Sequence, residues 1–171
     1  PDSAFYDWVL ANDTVGQLAQ HAQQRIDSDT HGAPFFIAAG LRRPHRVWHV
    51  PRRFYDLYAN NGTHPTDMPL ALHKTGPAGM PELAFIDNAW PNFAYNQSVP
   101  IDDWRAELGR WGYYASVSFT DSNVGMMLDA LDRLALADET VVLFTGDVRG
   151  LTSATHPTAP SRSSFELLVC D

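Results

Sequence analysis

The apolar residues change their spacing several times along the chain, and each change predicts an element. Residues 1–11 are aromatic and irregular. From there, Asp13 or Thr14 suits a helix N-cap, and Leu18, Ala19, Ala22 and Ile26 recur at a spacing that predicts a helix with one buried face. The polar stretch Asp27 to Gly32 ends it. Residues 33–40, APFFIAAG, form a short continuous apolar run bounded by Pro and Gly, which predicts a strand covered on both faces. A basic and aromatic loop follows, LRRPHRVWHVPRRFYDLY, with a short helix predicted near Phe54 to Tyr58. Residues 59–101 are rich in Pro, Gly, Asn and His and lack a period, so they read as a long excursion.

Helical spacing returns after Asp102 or Asp103, a good N-cap. Trp104, Leu108, Trp111, Tyr114, Val117, Val124, Leu128, Leu131 and Leu134 predict one long helix, or two in line, ending near Leu136. Gly109, Gly112 and Gly125 each weaken such a helix by about 1 kcal/mol relative to Ala, so close packing against a neighbour is expected at some of them. LADETVVLFTGD then predicts a turn and a second buried strand over 140–145. Residues 151–171 form a tail rich in Ser, Thr, Ala and Pro, ending in the apolar run Phe165 to Val169.

A strand, a long crossover containing a helix, and a second strand predict an α/β fold with a mostly parallel sheet flanked by helices. In such sheets ligands gather beyond the carboxyl ends of the strands. This places Arg42-Arg43-Pro44-His45, just past the first strand, and Asp147, just past the second, on one rim.

Composition narrows the function. With 171 residues, 44% hydrophobic and 19% charged, the chain can bury a core of its own. Its formal net charge of −8 disfavours nucleic acid as a partner. No apolar run reaches the roughly 20 residues of a membrane span. The single cysteine, Cys170, rules out a disulfide framework within these residues and a cysteine metal cluster. The chain begins at Pro1, which reads as a processed product or a fragment. The sequons at Asn12, Asn61 and Asn96 lean towards a secretory route.

Against the acidic background, Arg42, Arg43, Arg46, Arg52 and Arg53 gather within one short segment. Arginine matches the oxygens of sulfate, phosphate or carboxylate, whereas the bland alternative is a solvated loop. His45 can hydrogen-bond an anion or move a proton, or be a surface histidine. Asp147 could ligate a hard cation, or end its strand by accepting backbone hydrogen bonds. His49, His64, His73 and His156 have no zinc-like spacing and read as loop histidines. Trp111, Tyr113 and Tyr114 read as core rather than as a stacking platform.

Two blocks resemble a known family. PFFIAAGLRRPH is similar to the sulfatase segment PFF-hydrophobic-x-G-x-x-K-P-H, and YYASVSFTDSNVGMMLDALDRLALADETVVLFTGD is similar to the sulfatase helix and strand that lead into T-S/G-D-H-G. Their order and separation match too. VPRRFYDLY and VPIDDWRAELGRWGYYASVS look most like the iduronate-2-sulfatase branch. The resemblance implies a partial alkaline-phosphatase-like fold, with residues 1–150 an internal part of a sulfatase catalytic domain and 151–171 a divergent tail. It also implies hydrolysis of a sulfuric ester carried by a sugar or glycosaminoglycan, with Ca²⁺ as cofactor and a lysosomal or secreted location.

Carried over residue by residue, His45 matches the sulfate-binding and catalytic His of K-P-H. Arg43 stands where Lys is usual, and Asp147 matches a metal-ligand Asp. The chain departs from the pattern at Val148, where His or Asn is expected, and at Arg149, where Gly is expected. The nucleophile motif C/S-x-P-S/T-R is imitated only by TAPSR, residues 158–162, where Thr158 replaces the nucleophile. The chain alone is therefore expected to be inactive. The competing readings are a non-catalytic remnant that binds without turnover, and a phosphate or phosphonate ester hydrolase of the same superfamily.

Overall fold

The computed structural model describes residues 1–27, 33–60, 64–65, 68, 70, 102–146 and 165–170. A short 3-10 turn, Asp2–Ala4, leads into helix α1, Tyr6–Asp27. Strand β1, Phe36–Leu41, and the short helix α2, Arg52–Asp56, follow. A small hairpin pairs β2, Ala59–Asn60, with β3, His64–Pro65. The long helix α3 covers Asp103–Arg133, and a 3-10 turn, Ala137–Glu139, with strands β4, Val141–Gly146, and β5, Phe165–Cys170, completes the described elements.

Helix α1 starts seven residues before the expected cap. Thr14 does not cap it; its hydroxyl donates to the Leu10 carbonyl one turn back, at 2.9 Å. The buried face is Asp7, Ala11, Thr14 and Leu18, whereas Ile26 is exposed. A polar residue at each of two buried positions hides this face from a reading based on apolar residues alone.

Helix α3 is one uninterrupted helix, as its spacing predicts. Its buried face is not the large apolar series, however. It is Gly112, Ala115, Ser116, Phe119, Thr120, Asn123, Met127, Ala130 and Leu131, while Trp104, Val117 and Leu128 are exposed. Small residues let neighbouring backbones come close. A Cβ added to Gly112 would lie 2.5 Å from Cε3 of Trp48, so this glycine is a notch for the indole. Gly109 meets Trp48 at ordinary contact distance, and Gly125 faces open space. The helix ends at Ala135, whose φ of 55° puts it in the left-handed region, and the Leu136 amide reaches back to the Leu131 carbonyl at 2.9 Å.

The sheet corrects the expectation of direct parallel pairing. Its order is β1-β5-β4, and both pairings are antiparallel. β1 and β4 do run the same way, but β5, from the apolar end of the tail, lies between them. The α/β class holds; the mostly parallel sheet does not hold among the described strands, because an antiparallel strand occupies the place between the two parallel ones. Coverage differs from expectation as well. β1 alternates, with Ala39 and Leu41 buried and Phe36 exposed, so only one of its faces is covered. Every residue of β4 is exposed.

Two apolar clusters hold the helices. Ala11, Leu18, Ala39, Leu41, Met127, Ala130, Leu131 and Leu136 join α1 and the inner face of β1 to the second half of α3. Val50, Phe54, Ala115 and Phe119, with Phe5, Trp8 and Tyr55 against them, join the start of α1 and α2 to the middle of α3. The loop from Arg42 to His49 leaves β1 and leads into the second cluster at Val50.

Candidate functional site

The rim follows from strand register. Leu41, the last residue of β1, and Gly146, the last of β4, both face Phe165 of β5. The two strand ends are therefore level and about 10 Å apart, two interstrand spacings. Arg43 and His45 sit just past the first end. Asp147 and Val148, past the second, lie outside the described residues, as does the TAPSR segment.

The loop after β1 is held by side chains from three elements. Asp7, in the first turn of α1, is 2% exposed. Its two carboxylate oxygens accept the amides of Arg42, at 2.9 Å, and Arg43, at 2.8 Å. Hydrogen bonds to a charged acceptor contribute about 1.5–3 kcal/mol each, which offsets the cost of burying the carboxylate. The Arg42 carbonyl accepts the His45 amide at 3.0 Å, and the Arg43 carbonyl accepts the Thr120 hydroxyl of α3 at 3.1 Å. The Pro44 carbonyl accepts the Trp48 indole N–H at 2.9 Å, and Pro44 itself is buried. Tyr55 donates its hydroxyl to the Trp48 carbonyl at 2.5 Å, and Trp111 of α3 donates to the Tyr55 carbonyl at 2.7 Å. Burial raises the pKa of Tyr55 above its ordinary value, against a smaller opposing pull from Arg43.

This arrangement presents two groups. His45 directs Nδ1 at the Arg46 carbonyl. A carbonyl can only accept, so Nδ1 carries the proton and Nε2 is the nitrogen left for other work. Neutral His45 accepts at Nε2; protonated, it donates there. Arg43 is half-buried. Its Nε donates to the His49 carbonyl at 3.3 Å and one terminal nitrogen reaches the His45 carbonyl at 3.5 Å, both long contacts. Burial lowers the Arg43 pKa, Asp7 opposes this, Arg42 adds to it and Tyr55 opposes it. The guanidinium remains a cation through any ordinary pH.

The five arginines separate into two groups. Arg52 pairs with Asp56 at 2.8 Å and Arg53 with Asp2 at 2.5 Å, which makes them structural. Among the described residues, Arg42, Arg43 and Arg46 have no carboxylate at ion-pair distance. Burial lowers the pKa of Arg46 too. Arg43 and Arg46 are half-buried and Arg42 is exposed; a guanidinium keeps its charge and donors, so each could meet an anion. His49 is exposed and contributes its carbonyl. Trp111, Tyr113 and Tyr114 are partly buried in an aromatic network with Tyr55, Tyr58 and Trp48.

Sequence reasoning missed Asp7, Trp48 and Thr120. For Asp7 the signal existed: an acid four residues before Ala11 on the face that continues through Thr14 and Leu18. Among the described residues no group of three or more His, Cys, Asp or Glu could hold a metal ion, so these residues alone do not fit the Ca²⁺ that the resemblance implies. No helix among them is long and apolar enough to cross a membrane.

Comparison with known proteins follows the same lines. The family profile described as Sulfatase matches residues 4–164. Human iduronate 2-sulfatase is 34% identical over 163 residues, which cover 88% of this chain and 28% of that protein. A sulfatase of Formosa agariphila is 31% identical over 152 residues, 86% of this chain and 25% of that protein. Choline-sulfatase of Rhizobium meliloti is 25% identical over 139 residues, 81% of this chain and 25% of that protein. The chain thus spans about a quarter of the length of the curated relatives it matches.

Proposed function

Because the chain belongs to the sulfatase family, we propose that it forms one side of the active site of a sulfuric ester hydrolase, with Arg43 and His45 as the sulfate-binding pair. The observation that carries this reading is the loop 42–45, whose backbone is fixed from α1, α3 and Trp48 while Arg43 and the Nε2 edge of His45 remain available. The similarity to iduronate 2-sulfatases supports a sulfated sugar or glycosaminoglycan as the substrate class. With the sequons, it also supports a lysosomal or secreted setting.

In this proposal Arg43 neutralises charge on the sulfuryl oxygens as the ester S–O bond breaks and the sulfuryl group passes to an oxygen nucleophile, finally water, leaving as sulfate. A half-buried cation does this better than a solvated one, because less water competes for it. His45, protonated at Nε2, donates to a sulfuryl oxygen or gives that proton to the departing alkoxide, while Nδ1–H stays on the Arg46 carbonyl and holds the ring. Arg in place of the usual Lys retains the charge and adds a flat, two-pronged donor set. Asp147 is proposed as a ligand of a divalent cation, Ca²⁺ in the complete fold, which would supply further charge stabilisation. No step here runs through the metal. Val148, where the family has His or Asn, favours as a second reading a remnant that binds sulfate without turnover.

The test is titration of the 171-residue chain with inorganic sulfate, observed by NMR at the Arg43 Nε–H and the His45 ring. Saturable shifts at both are expected, and His45→Ala should weaken binding by about 1.5–3 kcal/mol, roughly ten- to a hundredfold. Absence of any sulfate-dependent shift at Arg43 and His45 would overturn the assignment. On an aryl sulfate the chain alone is expected to give no turnover; turnover that survives His45→Ala would remove His45 from the chemistry.

A further inference from the structure

We infer that Asp7 is a positioning residue for the anion site: its buried carboxylate, clamped on the Arg42 and Arg43 amides, sets the direction in which Arg43 and His45 meet their ligand. The inference rests on the sulfate-site reading for its ligand and on separate geometry for its cause.

Asp7 has no exposed edge with which to bind anything from solvent. Its carboxylate oxygens go to two consecutive backbone amides, at 2.9 and 2.8 Å. Two bonds from one rigid carboxylate to successive peptide planes fix their mutual rotation, as a single bond would not. The remaining backbone groups of the turn are also engaged: the Arg42 carbonyl by the His45 amide, the Arg43 carbonyl by Thr120 and the Pro44 carbonyl by Trp48. Thr120 and Trp48 fasten the far side of the turn to α3, directly or through the Gly112 notch. Asp7 fastens its near side, where the chain leaves β1.

Charge adds a second reason for a carboxylate here. Asp7 stands at the start of α1, where the helix dipole favours a negative charge. It also acts electrostatically on Arg43, opposing the loss of charge that burial promotes. The two amides go to different carboxylate oxygens, so an Asn in the same pose would keep one acceptor and set an NH2 donor against the other amide. It would also withdraw the negative charge from beside Arg43.

The test compares Asp7→Asn with Thr14→Val in the full 171-residue chain. Thr14 is buried on the same face of α1 but bonds only within its own helix, to Leu10. In the wild type, through-hydrogen-bond NMR couplings should link the Arg42 and Arg43 amides to the Asp7 carboxylate carbon. Their absence would overturn the inference whether or not any variant folds. In Asp7→Asn, amide exchange at Arg42 and Arg43 should accelerate, and sulfate affinity should fall about tenfold, measured well below the melting temperature. Thr14→Val should lower the melting temperature yet leave sulfate affinity within about twofold of wild type. Equal affinity in Asp7→Asn and wild type would overturn the inference and leave the sulfate site standing. An equal loss in both variants would also overturn it, by reducing the effect to general destabilisation. If the couplings are present and the wild type binds no sulfate, the site reading fails, while the clamp on the turn is established.

Discussion

β1 and β4 run in the same direction, pair with the same strand in the same register, and end level with each other at one rim. Their surroundings differ. β1 has α1 and α3 against one face, and a loop at its end in which nearly every backbone group has a partner. β4 is exposed throughout, its large apolar residues ranging from 37% at Val142 to 59% at Val141. Both are apolar runs closed by a change to polar residues, so composition does not separate them. What separates them is that α1 and α3 pack against β1 and leave β4 exposed. An apolar strand is as buried as its neighbours make it, and the anchored end is the one that the helices reach.

The comparison can be broken most strongly on the covered side. Phe119 is 1% exposed and its ring meets Phe5 and Phe54, at centroid separations of 5.8 and 5.2 Å. Phe119→Ala should cost about 3–5 kcal/mol, enough to unfold a marginal domain, as read from urea unfolding by circular dichroism. Gly112→Val comes next. Its new Cβ would meet the Trp48 ring, so overpacking should cost about 1–3 kcal/mol and shift Trp fluorescence as the indole leaves its notch. Gly125→Ala on the same helix meets nothing and should instead stabilise by about 0.5–1 kcal/mol. A loss of stability there would mean that Gly125 packs against a neighbour.

Removing the Tyr55 hydroxyl, which binds the Trp48 carbonyl, should cost about 1 kcal/mol. The pH dependence has a definite sign. Burial raises the folded-state pKa of Tyr55 and, with help from Tyr114, that of Tyr113. Their contribution is full below the ordinary tyrosine value of about 10 and is lost as pH rises towards the folded value, because the unfolded chain gives up its protons first. Denaturation midpoints measured between about pH 8 and 11 should fall across the alkaline end, and less steeply in Tyr55→Phe. The smallest effect belongs to the uncovered strand. Leu143 is half exposed, and Leu143→Thr should change stability by less than about 0.5 kcal/mol while improving solubility. A cost as large as that of Phe119→Ala would show that β4 is covered after all.

The sequence carried the long helix, the short helix, both long strands and the common direction of β1 and β4, because each rests on spacing or on a rule about crossovers. It did not carry which face of α3 is buried. Of the large apolar series only Leu131 is buried; the packing face sets Phe119, Met127 and Leu131 among Gly, Ala, Ser, Thr and Asn, which give closeness rather than area. Nor did it carry the start of α1, since Asp7 and Thr14 occupy buried positions that hydropathy assigns to water. Arg43 and His45 were legible as a cluster. Their clamp was not, because it joins residue 7 to residues 42 and 43 through backbone amides, which no side-chain pattern encodes. The place of β5 was hidden for a similar reason: a short apolar run states that it is a strand, not which strands it separates.

That interleaved position of β5 bears on how the chain assembles. β5 follows both of its partners in the chain, so among the described strands β1 and β4 gain their sheet neighbour only with residues 165–170. Joining β5 to β4 closes a loop from 146 to 165; joining it to β1 closes one from 41 to 165, at an added entropy cost of about 2 kcal/mol for a flexible chain. The β4–β5 pair is thus expected to form early, and β1 to dock late, carrying the anion-binding turn with it. Pulse-labelled hydrogen exchange during refolding would then protect β4 amides before those of Arg42 and Arg43, making the rim the last part of the fold to be set.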